Sequence, residues 1–170
     1  PKFPQSSIME LLWRAYRRTG APLYRHAVTL TLDRMSQGGI YDHLGGGFFR
    51  YSVDARWLVP HFEKMLYDNA QLVGLYADYY AITRQPLARE MAADIAGYLA
   101  RRMTASEGGF YTAEDADIEG KEGETYLWTK AEIAAVLGAA DADRFFDLYE
   151  LTPLPNEPTG PGVLRIRQDR

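Results

Sequence analysis

The sequence predicts an all-α fold, an arc of a toroid built from helical hairpins with short β-hairpins in its loops. Three observations predict it. Apolar residues recur at helical spacing in segments punctuated by Gly and Pro. Two glycine-rich connectors break the helices at matching places. The stretch Arg34-Met35 with Gly38-Gly39-Ile40-Tyr41 returns as Arg102-Met103 with Gly108-Gly109-Phe110-Tyr111, about 70 residues later.

Ser7-Ile8-Met9-Glu10 reads as a capping box that opens the first helix. Ile8, Leu11, Leu12, Ala15 and Tyr16 share its apolar face, and Gly20 stops it. Pro22 begins the second helix, whose stripe is Tyr24, Ala27, Val28, Thr31, Leu32 and Met35. Residues 40–58 hold Gly45-Gly46-Gly47 and alternating aromatics, a long loop with room for a hairpin. A third helix is expected from near Pro60 to about Thr83, apolar nearly all round and so buried on most sides. The fourth, about Leu87 to Met103, is amphipathic, with Met91, Ile95, Tyr98 and Leu99 inward. A second glycine-rich, acidic loop runs to Trp128. Thr129-Lys130-Ala131-Glu132 is another capping box, opening a short helix that closes at Gly138. A last helix covers about Ala142 to Tyr149, the proline-bearing stretch Thr152 to Gly162 reads as coil, and Val163 to Ile166 as a short strand. Each repeat is thus two helices, a Gly-Gly-aromatic loop and a Trp before the next helix. Units of this kind cannot bury their faces alone and must stack or close into a ring.

Composition narrows the function. The chain has 170 residues, long enough for one real core. Its net charge of −4 argues against broad nucleic-acid binding. No apolar run is long enough for a membrane span, and the start lacks a signal-peptide pattern, so the expected location is cytoplasmic. With no Cys there is no disulfide, thiolate nucleophile or Cys-bound zinc. No cofactor and no metal site is expected. Asp115, Asp117, Glu119 and Gly120 start like a calcium-binding EF-hand loop, but the twelfth position is Tyr126 where a Glu is required.

Three stretches carry a family likeness: Gly38 to Ser52 (GGIYDHLGGGFFRYS), Trp57 to Ala70 (WLVPHFEKMLYDNA), and Asp115-Ala116-Asp117 with Glu119-Gly120 and Tyr126-Leu127-Trp128. Together they resemble the family of thioredoxin-domain-containing proteins that includes bacterial YyaL-type proteins and spermatogenesis-associated protein 20. The resemblance implies a six-hairpin (α/α)6 toroid like that of glycosidases and N-acylglucosamine 2-epimerases. It also implies a thioredoxin-like domain ahead of this region in the parent protein. Residues 1–170 are then one fragment of the toroid, without that domain and without the later hairpins, and no redox activity is expected of them. An open arc leaves apolar faces uncovered, so self-association of the fragment is expected.

His61, Glu63 and Asp68 are the candidate catalytic residues. On one helix His61 and Asp68 would share a face, with Lys64 between them as an i, i+4 partner of Asp68. A His near neutral pKa can shuttle a proton and a carboxylate can orient it or act itself, which suits a sugar epimerase; glycoside hydrolysis would need two carboxylates. The competing reading is acidic residues favouring a helix N-terminus. His43, Arg50, Tyr51 and Trp57 in the first loop, and Asp115, Asp117 and Trp128 around the second, are candidate sugar contacts through stacking faces and carboxylates. Equally, Arg50 could pair with Asp42 or Asp54 and the rings could brace the loop. The function expected is a carbohydrate-active or sugar-binding toroid, and the alternative is a non-catalytic helical scaffold packing on the thioredoxin-like domain or a protein partner.

Overall fold

The computed structural model describes residues 1–118 and 120–167; Glu119, part of the calcium-loop comparison, lies outside them. Among the described residues there are six α-helices and a set of short strands. Helix α1 (Ser6–Thr19) packs on α2 (Pro22–Gln37) and on α3 (Leu66–Thr83), and α3 packs on α4 (Pro86–Tyr98). These two hairpins form a partial helical toroid. Their shared core includes Trp13, Val28, Leu32, Met35, Leu72, Tyr76, Ala88 and Ile95.

The helix starts show where local signals win and lose. At α1 the expected Ser7–Glu10 box does not form. The chain enters through Gln5 in a left-handed conformation with no side-chain cap, and Glu10 instead pairs with Arg14 one turn on. That turns Met9 and Trp13 inward and leaves Ile8 and Leu11 exposed, contrary to the stripe read from spacing. Gly20 ends α1 as expected, its N–H donating to the Tyr16 carbonyl. The second box does form: Thr129 accepts from the Glu132 N–H and the Glu132 carboxylate accepts from the Thr129 N–H, opening α5 (Lys130–Leu137).

The third helix begins at Leu66, not near Pro60. Pro60–His61 (β2) pairs antiparallel with Tyr51–Ser52 (β1), and Lys64–Met65 (β3) pairs with Ala113–Glu114 (β4). Proline lacks an N–H but an extended ladder tolerates it at the first strand residue, so tertiary pairing overrides the apolar run. Nor is α3 buried on most sides. Leu72, Leu75, Tyr76 and Tyr79 face the core while Ala70, Gln71, Gly74 and Ala77 are exposed. Gly74 has open space where a Cβ would stand. Gly74→Ala is therefore expected to raise the unfolding free energy of this chain by about 0.5–1 kcal/mol, read by urea denaturation.

After α4 a π-helical turn (Leu99–Met103) leads into the second connector. There β5 (Asp117–Ile118) pairs with β6 (Lys121–Glu122), and β7 (Leu127–Trp128) follows. Helix α6 spans Ala139–Leu148, three residues earlier at its start than read from the sequence. The stretch expected to be coil is instead a hairpin of β8 (Tyr149–Leu154) and β9 (Glu157–Ile166), in a sheet ordered β7-β9-β8. Its prolines fit because β8 is an edge strand and Pro158 and Pro161 fall between the paired positions Glu157 and Gly162 of β9. The two connectors emerge on the same side, joined by the β3–β4 ladder. No helix among the described residues is long and apolar enough to cross a membrane.

Candidate functional site

Residues 60–65 are extended, so successive side chains point to opposite sides. Phe62 and Lys64 go inward, packed with Phe49 and Tyr126. His61 and Glu63 go to the other side, with Arg50, Tyr51 and the first turn of α3. The expectation that His61, Lys64 and Asp68 share one helical face is corrected by this alternation. Lys64 does not pair with Asp68; it donates to Asp42 at 2.7 Å and to the Gly46 carbonyl at 2.9 Å.

The three candidate catalytic residues nevertheless come together. Glu63 Oε2 accepts from Arg50 Nη1 at 3.0 Å and stands 3.7 Å from His61 Nε2. His61 Nδ1 meets Glu122 Oε1 at 2.6 Å, and its ring stacks on Tyr51 with centroids 4.9 Å apart. Arg50 thus pairs with Glu63 and not with Asp42 or Asp54. Asp68, in the first turn of α3, has one carboxylate oxygen buried with no hydrogen-bond partner among the described residues. Burial pushes its pKa up to about 6; the nearby Arg50 charge opposes this and the Glu63 charge adds to it. A carboxyl with its pKa raised to about 6 beside a carboxylate keeps its proton at mildly acidic pH and can act as an acid there, while a neighbouring group acts as a base.

A concave site lies on the other side of the strand. It is a pocket of about 650 Å³ between the two connectors. Lys64 is at its floor, 2% exposed and ringed by Tyr98, Phe49 and Tyr126 at 4.7 to 5.0 Å from its ammonium. Burial lowers the Lys64 pKa, against the pull of Asp42. Glu114 accepts from Tyr98 Oη and Arg102; burial alone would raise its pKa, but those bonds hold it below the ordinary value. Tyr98 and Tyr126 hydroxyls are pushed well up, first by burial and then by Glu114. His43 Nε2 lies 2.9 Å from the Gly38 carbonyl, and burial lowers its pKa.

Of the candidate sugar contacts, His43, Asp115 and Trp128 line this pocket, whereas Arg50 and Tyr51 belong to the His61 group. Asp117 lines neither; it is exposed on β5 opposite Glu122. The stacking role expected of Trp57 does not fit: its ring is 3% exposed, with the Lys2 ammonium 4.0 Å over it. Sequence reasoning missed Glu122, Glu114 and Arg102 and the inward role of Lys64. The signal present was the period-two pattern Phe62/Lys64 against His61/Glu63, masked by an apolar run that also reads as helix.

No family model matches the chain. Spermatogenesis-associated protein 20 of rat and of human is each 42% identical over 147 residues, 81% of this chain. An uncharacterised protein of Caenorhabditis elegans is 37% identical over 151 residues. The chain spans only 19% of the rat and human relatives and 21% of the nematode one. Among solved structures, a D-mannose isomerase superposes with TM-score 0.59 at 16% identity, over 66% of this chain and 29% of that one. A cellobiose 2-epimerase from Spirochaeta thermophila gives 0.57 at 22% identity, over 65% and 27%. A sugar epimerase from a ruminal bacterium gives 0.58 at 14% identity, over 84% and 40%. At such identities the structural likeness speaks for the fold alone, the helical toroid. The sequence likeness goes further: over four-fifths of its length the chain is a homologue of a segment, about a fifth, of spermatogenesis-associated protein 20.

Proposed function

We propose that this arc carries acid/base chemistry on a sugar, with Asp68 as the acid, His61 as the base and Glu63 orienting the group. The observation that carries the reading is the buried, unpartnered Asp68 oxygen beside Glu63 and Arg50, with a pKa raised to about 6. The fold is that of proteins named for isomerising or epimerising sugars, which supports a sugar as substrate. In the proposed step His61 takes the proton from the carbon next to the carbonyl of an open-chain sugar. Asp68 gives its proton to the carbonyl oxygen, leaving a neutral enediol. When the enediol turns its other face to the imidazole, His61 returns its proton to that face while Asp68 takes back the proton from the hydroxyl; the carbonyl re-forms and the epimerisation is complete. Glu122 on the far ring nitrogen fixes the imidazole, and the Tyr51 ring holds it flat.

The test is turnover by the intact protein, with D-mannose and cellobiose as substrates. Because the acid must be protonated, kcat/KM is expected to fall as pH rises through about 6. Asp68→Asn should lower kcat by about 10²–10⁴-fold and remove that limb. The scaffold alternative draws on one observation, that His61 and Glu63 are already satisfied by Glu122 and Arg50. Absence of turnover, or full activity in a folded Asp68→Asn protein, decides for it.

A further inference from the structure

The pocket behind the strand has no part in the acid/base step, yet its chemistry is defined. Its lining holds three basic side chains, Lys64, Arg101 and Arg102, and three acidic ones, Asp42, Glu114 and Asp115. Lys64 is neutralised by Asp42 and Arg102 by Glu114. His43 is kept neutral by burial. The pocket therefore has no surplus charge to attract an anion or a cation. What it offers is fixed donors and acceptors side by side, with Arg101 and Asp115 both exposed at the rim. Each of the two has spare hydrogen-bonding capacity: among the described residues Arg101 donates only to the Gly45 carbonyl at 3.3 Å, and one Asp115 oxygen accepts the Asp117 N–H at 3.2 Å.

Trp128 supplies the apolar wall. It is half-buried, and the residue paired with it across the sheet is Gly162, which brings no side chain against the indole. An aromatic face beside interspersed donors and acceptors fits a neutral polyol ring, whose C–H face stacks and whose hydroxyls both give and take hydrogen bonds. At about 650 Å³ the cleft is of ordinary ligand size. We propose that this pocket binds a neutral pyranose, as a site separate from the His61–Glu63–Asp68 group and not dependent on that group being active.

Trp128 also makes the test readable, because Trp13 and Trp57 are 1% and 3% exposed. The probe is methyl α-D-glucopyranoside, whose ring cannot open and which therefore cannot undergo the carbonyl chemistry above. Titrated into the intact protein, it is expected to give a saturable change in tryptophan fluorescence in the millimolar range. Arg101→Ala and Asp115→Ala, both exposed positions, should each weaken binding about tenfold. Asp68→Asn should leave it unchanged. The proposal is overturned by no saturable response, by D-glucuronate or inorganic phosphate binding more tightly than the glycoside, or by loss of binding in Asp68→Asn but not in the rim variants. Turnover lost in Asp68→Asn with no glycoside response would sink this pocket and leave the acid/base reading standing.

Discussion

Lys64→Ala is expected to lower the unfolding free energy by about 3–5 kcal/mol. The ammonium is 2% exposed and its partner Asp42 has an 11% exposed side chain. Asp42 also accepts from the Leu44 and Gly45 N–H groups, so it cannot swing out to water without unmaking the glycine turn. Truncation leaves that carboxylate uncompensated, strips the Gly46 carbonyl of its donor and opens a void among Phe49, Tyr98 and Tyr126. The cost lies mainly in the orphaned charge. Lys64→Met combined with Asp42→Asn is therefore expected to recover a substantial part of it, since a buried pair replaced by neutral groups of similar volume is often tolerated. Denaturant unfolding of the two single variants and the double variant gives the coupling. Additive losses would show that the two residues do not act as a pair.

The pair also explains how much of the site could be read from the sequence. The gathering of His61, Glu63 and Asp68 was legible, as was the meeting of the two glycine-rich connectors. The reason offered for the gathering was a helix, and the reason found is a strand followed by a helix. Pro60 to Met65 carries apolar residues at spacings that satisfy either period, and only the partner strands Tyr51–Ser52 and Ala113–Glu114 decide between them. Those partners lie up to about 50 residues away in sequence, beyond any local pattern. The same holds for β8 and β9. Four prolines and two glycines between Thr152 and Gly162 read locally as coil, while pairing with β7 and the burial of Val163 and Leu164 hold the segment extended. Where a signal is self-contained within one turn, as in Thr129–Glu132, the reading needed no such help.

Gly39→Ala is expected to cost about 3 kcal/mol or more, whereas Gly109→Ala, its counterpart in the internal repeat, should cost only about 1–2 kcal/mol. The two dipeptides look equivalent in sequence but are glycine for different physical reasons. Gly39 does not need an unusual backbone angle. A Cβ there would be driven into the carbonyl oxygen of Leu58, and would also stand 2.7 Å from Val163 Cγ1. Backbone cannot move aside as a flexible side chain can, so the first connector would separate from residues 57–58 or push off the β9 strand that carries Val163. Gly109 instead has φ of 83° with nothing within 4 Å of a Cβ, so Ala there meets only the left-handed penalty. Gly39 and Val163 both line the pocket, so the first substitution should also disturb Trp128 fluorescence, and the second should not. Parallel denaturation of the two variants separates these causes. Equal costs would mean that the close approach at Gly39 is not what holds the C-terminal sheet over the connector.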